Sequence, residues 1–173
     1  MKKQMVFKAP KHAWVFYLLS FTWGLPMTLI GGLVALVLLI GGNKPTRFGW
    51  VWHFDFEIDW GVSLGLVMLC PKGYSSALWS LRCHEHGHAL QNIYLGPLFP
   101  LLVGIPSVIR FWVRELNTLR NHPPKTDYDD IWFEGSATAS GAAFMTRNNF
   151  AITQRISDTA NALRELGKNI FKE

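Results

Sequence analysis

The chain is poor in charge and nearly free of cysteine. Asp, Glu, Lys and Arg make up 17% of its 173 residues, where an ordinary soluble domain carries about a quarter. With 49% hydrophobic residues and a positive mean hydropathy, that shortage points to membrane contact. The two cysteines, Cys70 and Cys83, exclude a disulfide framework, and Cys83 reads as a small buried residue. The net charge of +5 is scattered, without a basic stripe interleaved with aromatics. Nucleic acid is therefore not an expected partner, and an anionic lipid surface suits the charge better. There is no internal repeat, no low-complexity tract and no clear signal-peptide cleavage pattern. The length suits one domain with a core of its own.

What is present begins with four lysines, Lys2, Lys3, Lys8 and Lys11, ahead of an uncharged run from Ala13 to Gly42. A spanning helix needs about twenty apolar residues, and this run exceeds that. Gly24-Leu25-Pro26 interrupts it, so it reads either as one kinked span or as an interfacial helix followed by a span. Residues 1–45 are thus expected to be an N-terminal membrane anchor. The lysines weakly place the N-terminus in the cytoplasm.

From Arg47 to Asp59 aromatic and aliphatic residues alternate with His53, Asp55, Glu57 and Asp59, the pattern of a half-buried strand with a solvated acidic face. Trp60-Gly61 offers a turn, and Val62 to Cys70 reads as a second strand, giving a β-hairpin. Pro71-Lys72-Gly73 ends it, and Ser75 or Ser76 can cap a helix over Ala77–Tyr94. Leu95 to Ile109 is apolar but carries Pro97, Pro100 and Pro106, which makes a regular helix poor there. Residues 114–130 read as polar loop, Asp127, Asp129 and Asp130 as loop and capping carboxylates, and Ile131 to Ala143 as a further helix. From Ser157 an amphipathic helix is expected, with Ile156, Ala160, Leu163, Leu166 and Ile170 on one stripe.

The helix over Ala77–Tyr94 contains His84-Glu85-His86-Gly87-His88, an H-E-x-x-H arrangement. Residues four apart on a helix share a face. His84 and His88 can therefore present two imidazoles to one metal ion, with Glu85 placed to take a proton from an attacking water. His86 points away from the metal side and reads as a residue that supports the ligands or packs in the core. A catalytic zinc site takes three protein ligands and keeps a position open. The metzincin solution fails, because Gln91 and Tyr94 stand where its Gly and third His belong. A Glu from a later helix is the other solution. Glu134 fits best, set among Gly135, Ser136 and Ala137, whose small size lets two helices approach closely.

These features resemble the gluzincin metallopeptidases, above all the integral-membrane endopeptidases that carry H-E-x-x-H on one helix and E-x-x-A-D on a later one. Glu134-Gly135-Ser136-Ala137-Thr138 matches at Glu and Ala, with Thr138 where the family has Asp. Leu25-Pro26, Trp60-Gly61-Val62-Ser63-Leu64-Gly65, Leu95-Gly96-Pro97-Leu98 and Gly104-Ile105-Pro106-Ser107 also look like elements of small bacterial membrane zincin-like proteins. The likeness covers about residues 20 to 145.

The resemblance implies an α+β fold: a membrane-anchored minimal zincin-like domain over 46–173, with a β-hairpin, an active-site helix, a second helix supplying Glu, and a further hydrophobic segment at 95–113. It implies Zn2+ held by His84, His88 and Glu134, Glu85 as general base, and a peptide or protein substrate cut by a zinc metallopeptidase in a bacterial inner membrane. The strand Val62–Cys70 would offer its edge to an extended peptide. Tyr128 and His122 are both available as oxyanion stabilisers. The alternative is a non-catalytic membrane protein with a structural zinc site, such as an immunity or assembly factor.

Overall fold

The computed structural model describes residues 4–57, 59–73 and 75–148. The amphipathic helix expected from Ser157 lies outside the described residues. Among them the fold is α+β, with five α-helices and one four-stranded mixed sheet.

The sheet departs from the expected hairpin in an instructive way. Each expected strand is itself a hairpin. Thr46–Phe48 (β1) and Val51–Phe56 (β2) pair antiparallel with Phe48 opposite Val51, and Val62–Leu64 (β3) pairs antiparallel with Val67–Pro71 (β4) with Leu64 opposite Val67. Both turns are Gly-X pairs, Gly49-Trp50 and Gly65-Leu66, with the glycines at φ +58° and +65°. Two-residue hairpin loops favour such a glycine because other residues are strained there. The two hairpins then join by parallel pairing of β2 with β4, in the order β1-β2-β4-β3. β3 is left as an edge strand.

On the expected solvated face Asp55, Glu57 and Asp59 are exposed, and His53 is the exception. Across a two-residue turn, residues i and i+3 share a face, so Phe48 and Val51 are buried together. In β2 His53 and Phe54 are both buried, while Trp52 is 42% exposed. Trp52 instead faces its cross-strand partner Arg47, whose guanidinium lies 4.6 Å from the Trp52 ring. Buried His53 contacts Thr46 Oγ1 through Nδ1 at 3.2 Å. Asp55 accepts from buried Arg82 (3.2 Å), which also donates to the carbonyls of Pro71 and Gly73.

Ala13–Phe21 (α1) and Leu25–Ile40 (α2) replace the single apolar run, bent by 92° at the expected Gly-Leu-Pro interruption. No single described helix is long and apolar enough to cross a membrane, although this bent pair passes that test together, as does the pair over Ser76–Leu98 and Pro100–Leu119. Ser76–Leu95 (α3) begins where Ser75 accepts from the Leu78 N–H at 3.1 Å. The prolines then impose a 3-10 turn at Gly96–Leu98 and a π-helical stretch at Pro100–Gly104. Ile105–Leu119 (α4) follows, with Pro106 in its first turn, where no N–H partner is lost. Helix therefore extends into residues 114–119, which the polarity of that stretch had assigned to loop. A one-turn 3-10 helix at Tyr128–Asp130 has the Asp127/Asp130 capping box, as those carboxylates suggested. Trp132–Arg147 (α5) completes the fold.

The core lies between α1, the sheet, α3 and α5, around Phe16, Phe48, Met68, Leu90 and Phe144. Each such side chain contributes roughly 1.5–3 kcal/mol on burial. His86 belongs to this core: it stacks on Phe144 at 4.1 Å and accepts from the Trp50 N–H at 3.3 Å. Cys70 and Cys83 are both buried and are not in a disulfide.

Candidate metal centre

Two helices carry the site, and small residues set how near they come. A Cβ placed on Gly87 would lie 1.9 Å from the Ala137 carbonyl oxygen, and one on Gly141 1.8 Å from that of Cys83. Glycine is required at both positions, because only bare backbone fits between α3 and α5. Gly87 thus holds the second variable position of the H-E-x-x-H motif for a packing reason. The close approach carries Glu134, in the first turn of α5, onto the imidazole face of α3.

The three expected ligands come together. Glu134 Oε2 lies 3.1 Å from His84 Nε2 and 3.3 Å from His88 Nε2, and the two Nε2 atoms are 3.0 Å apart. They form the one group of three or more potential ligands among the described residues, with all ligand atoms within 4.8 Å of one another. A tetrahedral ion with bonds of about 2.0–2.1 Å spaces its ligand atoms by about 3.3 Å. The spacing therefore fits a metal.

The donor chemistry fits as well. Glu134 is 0% exposed, and neither of its carboxylate oxygens completes a hydrogen bond of good geometry. A buried anion needs positive charge beside it, which the facing imidazoles or a bound cation can supply. Burial alone would raise its pKa, yet the imidazoles of His84 and His88 hold it well below the usual carboxylate range.

Behind the ligands each imidazole has a partner at Nδ1. His88 Nδ1 donates to Gln91 Oε1 at 2.7 Å, and Gln91 Nε2 donates to the Phe133 carbonyl and to Ser136 Oγ, both at 2.6 Å. Thr138 Oγ1 lies 2.7 Å from His84 Nδ1. The Thr138 hydroxyl thus supplies the contact behind His84. Neither it nor Gln91 was singled out as functional from the sequence. The available signal was spacing: Gln91 is three residues beyond His88 and Thr138 four beyond Glu134, each on its ligand's own helix face.

The centre sits in an open cleft of about 960 Å³ whose lining is largely apolar, including Met27, Trp60, Leu64, Phe99, Val108 and Trp112. Glu85 is buried in its wall, and a Cβ placed on Gly61 would lie 2.6 Å from Glu85 Oε1. The edge strand β3 begins one residue further on and also lines the cleft. On the far side Phe111 of α4 meets Trp60, ring centroids 6.1 Å apart.

Of the two expected oxyanion candidates, only Tyr128 reaches the site. Its ring is 6.2 Å from that of His84, and burial, with the charge of Glu134 adding, pushes its hydroxyl up to about 12. It stays protonated and able to donate at neutral pH. Arg110 donates to the Asp127 and Tyr128 carbonyls at 3.0 Å, fixing that segment beneath α4. His122 is exposed, turned onto the Arg120 carbonyl, and does not line the cleft.

No protein-family model, curated protein or solved structure matches this chain.

Proposed function

We propose that the chain is a membrane-associated zinc metalloendopeptidase of gluzincin type. The observation that carries this reading is the cluster of His84, His88 and Glu134, opening onto a cleft with Glu85 in its wall. Structural zinc sites are closed by four protein ligands, whereas catalytic ones use three. Three converge here among the described residues.

Zinc bound there would supply a polarised water and a Lewis-acid contact for the scissile carbonyl. Glu85 takes the proton of the attacking water and passes it to the leaving amine. Tyr128 donates its hydroxyl hydrogen bond to the oxygen on which negative charge develops. The edge of β3 lines up an extended peptide by main-chain hydrogen bonds. The apolar lining favours substrates with bulky apolar side chains around the scissile bond.

Membrane association rests on exposure. Leu29, Leu33, Leu36, Val37 and Ile40 on α2 are open to the surroundings, as are Val113, Leu116 and Leu119 on α4. Contiguous apolar faces of that size mark a membrane or partner surface. At about 1.5 Å per residue α2 is about 24 Å long, short of a hydrocarbon core of about 30 Å. We therefore take α2 to enter the bilayer with α1 lying across its surface.

Metal analysis of the purified protein beside Glu134→Ala tests the centre. The reading requires about one zinc per wild-type chain and loss of most of it in the variant. Equal zinc in both would remove Glu134 from the ligand set. A centre that keeps zinc but serves no cleavage would instead be the structural site of an immunity or assembly factor.

A further inference from the structure

Gln91 differs from the other residues around the centre in having every polar atom of its side chain committed. It is 0% exposed. Its Nε2 donates to the Phe133 carbonyl and to Ser136 Oγ, so that end must be the NH2 and the other the oxygen. An amide oxygen only accepts. His88 must therefore carry a proton on Nδ1, with Nε2 facing Glu134 and His84. Thr138 gives His84 no such instruction, because a hydroxyl both donates and accepts.

The acceptors of Gln91 are significant in their own right. Phe133 directly precedes Glu134 and Ser136 follows it by two. One carboxamide thus holds a ligand of α3 at one end and the stretch of α5 bearing another ligand at the other. We infer that Gln91 is the positioning residue of the centre, setting the tautomer of His88 and the placement of Glu134 together before any ion arrives. The inference rests on the metal-site reading above, but its first test is made without metal.

Long-range 1H–15N spectra of the metal-free full-length protein in lipid micelles report the tautomer of His88. At a pH where His88 is neutral, the Nδ1–H form is expected in the wild type, and the Nε2–H form would overturn the inference with no variant needed. Gln91→Leu removes both functions: a mixed tautomer is expected, with Zn2+ and Co2+ affinities, read by chelator competition, lower by roughly 10–100-fold. Gln91→Glu keeps an accepting oxygen but has no N–H. It should keep the wild-type tautomer and still lose affinity, with an altered Co2+ absorption spectrum. A purely structural residue would not separate the two readouts. Wild-type tautomer and affinity in Gln91→Leu would refute the role. If the wild type binds neither ion, the peptidase reading fails, while the tautomer result still decides whether Gln91 sets His88.

Discussion

Substituting Gly87 by Ala perturbs the centre without touching a ligand. The added Cβ would start 1.9 Å from the Ala137 carbonyl oxygen, where ordinary contact begins near 3.4 Å. The α3 and α5 backbones must therefore part by about 1.5 Å, the difference between those values. Glu134 lies one turn from Ala137 on the same helix and moves with it. Metal–ligand distances tolerate only about ±0.2 Å, so the carboxylate leaves the range in which it can share an ion with His84 and His88. Metal affinity should fall by at least about 100-fold, equivalent to about 2.7 kcal/mol. Overpacking of this kind costs about 1–3 kcal/mol of folding stability, or roughly 2–12 °C in Tm at this chain length. Chelator competition gives the first quantity and circular-dichroism melting of the metal-free protein the second. Wild-type affinity together with an unchanged Tm would refute the claim that glycine sets the helix separation at the site.

Two further outcomes follow from the same geometry. Tyr128→Phe should leave zinc content unchanged and lower kcat on a peptide substrate by roughly 10²–10³-fold; undiminished turnover would remove Tyr128 from the reaction. Glu134, held below its ordinary pKa by two imidazoles, stabilises the metal-free fold above the normal carboxylate value of about 4.3, and that contribution is lost as pH falls through and below it. The Tm of the metal-free wild type should therefore drop more steeply between about pH 5 and pH 3 than that of Glu134→Gln. Parallel acid limbs would contradict this.

The cluster of His84, His88 and Glu134 was legible in the sequence because it is written in local spacing. His84 and His88 are one helical turn apart, and Glu134 sits beside Gly135 and Ala137, a composition that signals close helix contact. The α3 boundaries were readable to within a residue, since Ser75 supplies a cap and Gly96 a stop. The sheet was misread for a definable reason. A two-residue turn removes no residues from an alternating pattern while reversing the chain, so Phe48 to Phe56 looked like one strand. The Gly49-Trp50 and Gly65-Leu66 pairs were the overlooked signals. Polarity in residues 114–119 hid the end of α4, whose apolar stripe continues through Leu116 and Leu119 on one face. Gln91 was noticed only for not being the metzincin glycine, because its hydrogen-bond partners on α5 are more than forty residues away in sequence. His53 is buried by register, which no local pattern encodes.

The central claim, zinc-dependent peptide cleavage with Glu85 as the base, is tested most directly by Glu85→Gln. The wild-type and variant proteins would be purified in lipid, their zinc measured, and each incubated with a degenerate peptide library rich in apolar residues, with new termini read by mass spectrometry. Glu85 is not among the ligands, so full zinc occupancy with cleavage abolished in the variant is the expected result. Equal cleavage by both proteins, or none by a fully zinc-loaded wild type, would contradict it.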